Sequence, residues 1–234
     1  MLNRRRILAG VGTVAATGLV PKALSAAASI KVDDTSALLV IDVQNCFLPG
    51  GSLAVKDGDQ VLPVINRIAK GFANVVMTQD WHPAGHASFA TSWQDAAPFS
   101  TAEFPYGPQT LWPAHCVQGT PGAAFHPDLE ATKAELIVRK GFHAGIDSYS
   151  AFRENDRMTR TGLDGYLKAR GFTRVVLCGL ALDYCVAWSA IDARQAGFDV
   201  AVVVEATAAI DLEGSRRKML TAMRQGGINL NLTA

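Results

Sequence analysis

The stretch VVLCGLALDYCV, Val175–Val186, joins an apolar run to a loop and then to a helix. Val175–Cys178 is a short, continuous apolar run of the kind a strand buried on both faces needs. Gly179 breaks the run. Asp183 stands where an N-cap is expected, and YCVAWSAIDARQAG carries Val186, Ala190, Ile191 and Ala193 on one side before Gly197 stops it. The spacing therefore puts Cys185 in the first turn of a helix that leaves the carboxyl end of a strand. Free backbone N–H groups at such a turn lower a thiol's pKa and can hold an oxyanion. Taken alone, Cys185 reads equally well as a buried structural cysteine.

The other segments repeat this strand-then-helix rhythm. ALLVIDV (Ala37–Val43), NVVMT (Asn74–Thr78), ELIV (Glu135–Val138) and Val200–Val204 read as further strands. Gly58–Phe72, with Val61, Leu62, Ile65, Ile68 and Ala69 at helical spacing, reads as a helix, as do Arg157–Arg170 and Gly214–Gln225. Between Pro83 and Pro127 the chain is rich in Pro, Gly and aromatic residues, so elements there should be short. Alternation of this kind predicts an α/β protein: a doubly wound, Rossmann-like, mostly parallel sheet with helices on both faces.

The chain has 234 residues, 49% of them hydrophobic, and a formal net charge of +1, which suits a single domain with a large core. Near-neutrality gives no reason to expect nucleic acid as a partner, and no segment beyond the leader is long and apolar enough for stable membrane insertion. Assembly with further copies of the chain stays open. The N-terminus, with Arg4-Arg5-Arg6, a mild apolar run to Val20 and an Ala/Ser-rich stretch Ala23–Ser29, looks like a twin-arginine signal peptide. We set roughly the first 28 residues apart on that ground and expect one domain over 29–234. The expectation is a periplasmic or secreted protein, with an amphipathic leader on a cytoplasmic one as the alternative.

Chemistry-bearing residues gather at the strand ends. Asp42 follows the first strand, Asp80 and His82 the second and Lys140 the third, while the fourth feeds Cys185. In a parallel sheet these carboxyl ends share one rim, where ligands bind. Asp80 and His82, two apart in extended chain, point the same way and suit one metal ion; His86 and His115 add imidazoles from the loop-rich segment. Carboxylate plus imidazole suits zinc, iron or manganese alike. Cys185, Asp42 and Lys140 supply a nucleophile, a proton acceptor and a stabilising cation.

Five segments carry a family resemblance: IDVQNCF with PGGSLAV (Ile41–Val55), TQDWHPAGHASF (Thr78–Phe89), WPAHCVQGTPGA (Trp112–Ala123), VRKGFHAGIDSYSAF (Val138–Phe152) and CGLALDYCV (Cys178–Val186). In these the chain resembles the nicotinamidase/pyrazinamidase branch of the isochorismatase-like cysteine hydrolases. The resemblance implies Asp42, Lys140 and Cys185 as a catalytic triad. It implies Asp80, His82 and His115 as ligands of one divalent metal ion, and His86 as a histidine that only some members use as a ligand. Phe47, Leu53, Trp112 and Tyr149 would wall a pocket for an aromatic carboxamide. The Leu180–Ala181 peptide would be cis, bringing the Ala181 N–H beside that of Cys185 as an oxyanion hole. The reaction implied is deamidation of nicotinamide, and of pyrazinamide, through a thioester.

Two positions depart from the family pattern. Cys46 stands where Asp is usual, and after export it would be placed for a disulfide with a cysteine of the pocket region. Leu182 replaces a hydroxyl-bearing residue near the nucleophile and bears on substrate preference. Rival readings are a sister hydrolase acting on another small amide or on an isochorismate-like ether, and a non-catalytic periplasmic binder. The metal motif argues against the ether-cleaving branch and the complete triad against the binder. A thiol–disulfide oxidoreductase lacks the CxxC pair it would need.

Overall fold

In the computed structural model, which describes residues 32–232, five parallel strands make one sheet in the order β5-β2-β1-β6-β7. The strands are β1 (Ser36–Ile41), β2 (Asn74–Asp80), β5 (Leu136–Lys140), β6 (Arg174–Leu180) and β7 (Asp199–Ala208). The leader expected over residues 1–28 lies outside the described residues. Period-two alternation divides the core: Leu38 and Val40 of β1 face one layer, and Ala37, Leu39 and Ile41 face the other. Helix α1 (Val61–Ala69) packs Val61, Leu62, Ile65 and Ile68 on the first layer. Helices α2 (Leu163–Ala169), α3 (Ala187–Gln195) and α4 (Ser215–Gln225) cover the second. Both faces are therefore closed, as an all-parallel sheet requires.

Strand order places the site. The chain builds outward from β1 through β2 to β5, then crosses to β6 and β7 on the other side of β1. The switch point lies between β1 and β6, and the residues just beyond their ends are Asp42 and the Ala181–Cys185 turn. Close approach there depends on Gly179, whose φ is +109° and where an added Cβ would lie 2.1 Å from the Ile41 carbonyl oxygen. The segment expected to be irregular holds short 3-10 turns and one hairpin outside the main sheet, β3 (Thr101–Phe104) and β4 (Gly107–Thr110).

Three local expectations change. The helix expected over Arg157–Arg170 is confined to Leu163–Ala169. The Asp156 carboxylate accepts the N–H groups of Met158 and Thr159, and this local turn competes with helix; Arg157 lies in the left-handed region and pairs with Asp192. Asp183 does not cap α3. It is buried in a π-helical turn, Leu182–Val186, and its carboxylate accepts the N–H groups of Ile210 and Asp211 and the Ser215 hydroxyl. It thus ties the Cys185 turn to the segment between β7 and α4. Leu182 points into the apolar layer beneath α3 and not into the cavity described below.

Candidate active site

The sheet brings Asp42, Asp80 and Lys140 together directly, because Asp80 and Lys140 are paired neighbours on β2 and β5 and Asp42 follows β1 next door. Lys140 is completely buried, and its ammonium lies 2.9 Å from Asp42 Oδ2 and 2.9 Å from Asp80 Oδ1. It also donates to the Ser148 carbonyl at 2.7 Å and to Cys185 Sγ at 3.4 Å. Burial works against its charge, but the two carboxylates outweigh burial and hold Lys140 well above the ordinary lysine range. Asp42 sits at φ +49°, its Oδ1 accepting the Thr78 hydroxyl, which in turn accepts the Asp42 N–H. Asp42 Oδ2 faces Lys140 without a well-directed hydrogen bond of its own. Burial raises the Asp42 carboxyl, and Lys140 opposes the rise.

The helix-end argument for a depressed thiol is corrected at Cys185. Burial pushes this thiol well up, Lys140 opposes it, and Asp42 and Asp80 add to the rise. A thiol so placed attacks only once a neighbouring group takes its proton.

Beside Asp42, Lys140 and Cys185, Asp80, His82 and His115 bring ligand atoms within 4.8 Å of one another. Asp80 Oδ2 lies 3.0 Å from His82 Nε2 and 3.2 Å from His115 Nε2. The other ring nitrogens are fixed by backbone carbonyls, His82 Nδ1 by Gly141 at 2.9 Å and His115 Nδ1 by Pro113 at 2.8 Å. With both Nδ1 atoms turned to backbone carbonyls, the two Nε2 atoms converge on Asp80 Oδ2, the arrangement of metal-ligating histidines. Against the effect of burial, His82 and Lys140 hold the Asp80 carboxyl well below its usual range, and this carboxylate with the two imidazoles is a donor set that suits a divalent cation. Gly141, at φ +70°, makes room for the His82 ring, since a Cβ there would lie 2.6 Å from Cε1.

His86 does not join these donors. Its Nδ1 meets Ser88 Oγ at 2.9 Å and its Nε2 the His143 and Ile146 carbonyls at 2.9 and 3.2 Å, so both nitrogens are engaged by protein. The His86 ring instead packs against that of His82 with centroids 4.4 Å apart.

A cavity with an empty volume of about 300 Å³ opens over both groups. Phe47, Leu53, Trp112 and Tyr149 line it with Ala181, Cys185, Asp80 and His115, and the Leu180–Ala181 peptide is cis. Trp112 packs edge-on to Tyr184 at 4.8 Å and donates its Nε1–H to the Tyr149 hydroxyl at 3.2 Å. Sequence reasoning passed over Thr78, Asp147, Tyr184 and Ile210. Thr78 and Asp80 share a face of β2, so period two could have found Thr78; Asp147 lies within the resemblance segment at Val138–Phe152. Ile210 had no local signal. Cys46 is bonded to Cys116, while Cys178 and Cys185 are free thiols.

The isochorismatase domain family matches residues 36–234. The chain is 52% identical over 199 residues to the nicotinamidase of Acinetobacter baylyi, spanning 85% of this chain and 93% of that protein. Its fold superposes on the solved Acinetobacter baumanii nicotinamidase/pyrazinamidase with a TM-score of 0.84 at 53% identity, covering 87% of this chain and 97% of the other. The Pyrococcus horikoshii pyrazinamidase solved with zinc gives a TM-score of 0.67 at 35% identity, covering 85% and 98%. The chain therefore belongs to the isochorismatase family of hydrolases. Within that family it falls on the nicotinamidase/pyrazinamidase branch.

Proposed function

We propose that this protein deamidates nicotinamide, and pyrazinamide with it, to the free acid and ammonia through a thioester on Cys185. The observation that carries this is the buried ammonium of Lys140, in contact with Asp42 and with Asp80 and Cys185, two residues that line an aromatic-walled cavity. Asp42 takes the thiol proton as sulfur attacks the carboxamide carbon, and Lys140 steadies the negative charge that passes between them. The N–H groups of Ala181 and Cys185 hold the oxyanion. Asp42 then returns its proton to the departing ammonia, and water cleaves the thioester. Phe47 and Trp112 pack on the ring.

Asp80, His82 and His115 would hold one divalent ion, zinc foremost, which supplies Lewis-acid polarisation to whatever polar group is bound beside the cavity. The relative solved with zinc supports that choice. Export to the periplasm is part of the same proposal, supported by the Arg4–Arg6 leader and by a disulfide that suits an oxidising compartment.

Ammonia release from nicotinamide by the purified protein tests the activity. Cys185→Ala should abolish release while leaving metal content unchanged. Wild-type-like turnover in that variant would refute the nucleophile.

A further inference from the structure

A second cavity, with an empty volume of about 700 Å³, adjoins the one that holds Cys185. The hairpin supplies Tyr106 and Thr110 to its lining, the loop between β5 and α2 supplies Asn155 and Arg157, and α3 supplies Trp188. The two cavities meet at Tyr149 and Tyr184, which line both. Of the residues lining the second cavity only Arg157 is charged, and the buried Asp192 carboxylate answers that charge. The space therefore suits a neutral ring rather than an ion.

The two tyrosines are held differently. Tyr149 is locked by its hydroxyl, which accepts Gln109 Nε2 at 2.7 Å and Trp112 Nε1 at 3.2 Å; both donors belong to buried side chains that would lose a partner without it. Tyr184 presents its ring, edge-on to Trp112 at 4.8 Å and to Tyr149 at 5.4 Å. It stands in the π-helical turn one residue before Cys185, and its hydroxyl bonds to Ser215, which also donates to Asp183. Small-molecule sites run from roughly 300 to 1,000 Å³. The cavity at Cys185, at about 300 Å³, is at the lower end, which suits one ring with its carboxamide. Joined to its neighbour it would reach the upper end.

We propose that Tyr184 is a specificity-determining residue that limits the amide to a single ring, and that the second cavity is the subsite a further ring enters once Tyr184 is truncated. This rests on the amidase reading above. A larger amide is turned away by a clash with a braced ring, so selectivity comes from a penalty against the wrong substrate and not from an added contact with the right one. Tyr149 forms the fixed part of the same wall, tied to the hairpin through Gln109.

The test compares kcat/KM for ammonia release from nicotinamide with that from nicotinamides bearing a phenyl group meta or para to the carboxamide. A ratio between two amides cancels any loss common to both. The wild-type protein should prefer nicotinamide over both phenyl amides by about 100-fold or more, and Tyr184→Ala should narrow that preference by about 10-fold or more for at least one of them. Tyr184→Phe, which keeps the ring, should retain the wild-type preference. Thr110→Phe, added to Tyr184→Ala to fill the second cavity, should take back the gain. Tyr184→Leu replaces the alanine variant if circular dichroism finds that variant unfolded. An unchanged ratio in the truncated variant, an equal change in Tyr184→Phe, a gain that survives Thr110→Phe, loss of turnover on every amide alike, or wild-type protein that accepts the phenyl amides as readily as nicotinamide overturns the role of Tyr184. Wild-type protein that releases no ammonia from any of these amides overturns the amidase reading itself.

Discussion

Reducing the Cys46–Cys116 bond should weaken the whole fold and not only the loops it joins. The two cysteines are 70 residues apart in sequence. Opening a loop of that length returns about 15 cal/mol/K of chain entropy to the unfolded state, or about 4 kcal/mol at 25 °C, at the upper end of the ~2–4 kcal/mol typical of such bonds. For a domain of this size each kcal/mol moves the midpoint by about 2–4 °C, so the expected fall is about 4–16 °C. The assay is thermal unfolding followed by circular dichroism with and without a phosphine reductant. A Cys46→Ala/Cys116→Ala double variant should melt like the reduced protein in both conditions. The bond also joins the two walls of the site: Phe47 follows Cys46, His115 precedes Cys116, and the Cys116 carbonyl accepts the His82 N–H at 3.1 Å. A reductant-insensitive midpoint, or all four cysteines of the chain titrating as thiols in denatured, unreduced protein, would refute the reasoning.

Three further outcomes follow from the same geometry. Lys140→Met leaves Asp42 and Asp80 buried without their cation and should cost about 3–5 kcal/mol in urea unfolding. Freed of Lys140, the Asp42 carboxyl should titrate still higher above its unfolded value, so the deficit is full at pH 8 and shrinks toward pH 5 as the carboxyl protonates; an equal deficit at both pH values would argue against an uncompensated carboxylate. Gly141→Ala drives a Cβ into the His82 ring and should weaken zinc binding by about 10–100-fold in competition with a chelating dye, whereas Gly145→Ala, with no atom within 4 Å, should bind normally. Exhaustive chelation should abolish ammonia release and added zinc restore it; full activity in metal-free protein would leave Asp80, His82 and His115 with a purely structural role.

The fold was largely legible because its signals are local. Continuous apolar runs at Val175–Cys178 and Ala37–Ile41, separated by helical patterns, leave few arrangements other than a parallel sheet closed on both faces. The boundaries that failed lie where side chains compete with backbone. Asp156 turns the chain that periodicity assigned to helix, and Asp183 serves Ile210, Asp211 and Ser215, about 30 residues onward, instead of its own helix.

For the site, sequence alone determined which residue types stand at the ends of β1, β2, β5 and β6, since strand-end position is read along one segment at a time. Tertiary structure decided which of them meet. Strand order set Asp80 next to Lys140 on one side and Asp42 on the other, so that the Lys140 side chain reaches both carboxylates, and burial raised a thiol that helix-end reasoning expected to fall. Backbone carbonyls of His143 and Ile146 withdrew His86 from the donors, and a hairpin from elsewhere aimed Asp147 into the cavity. Charge, desolvation and hydrogen-bond partners depend on distances through space between segments tens of residues apart, and a one-dimensional pattern does not contain those distances.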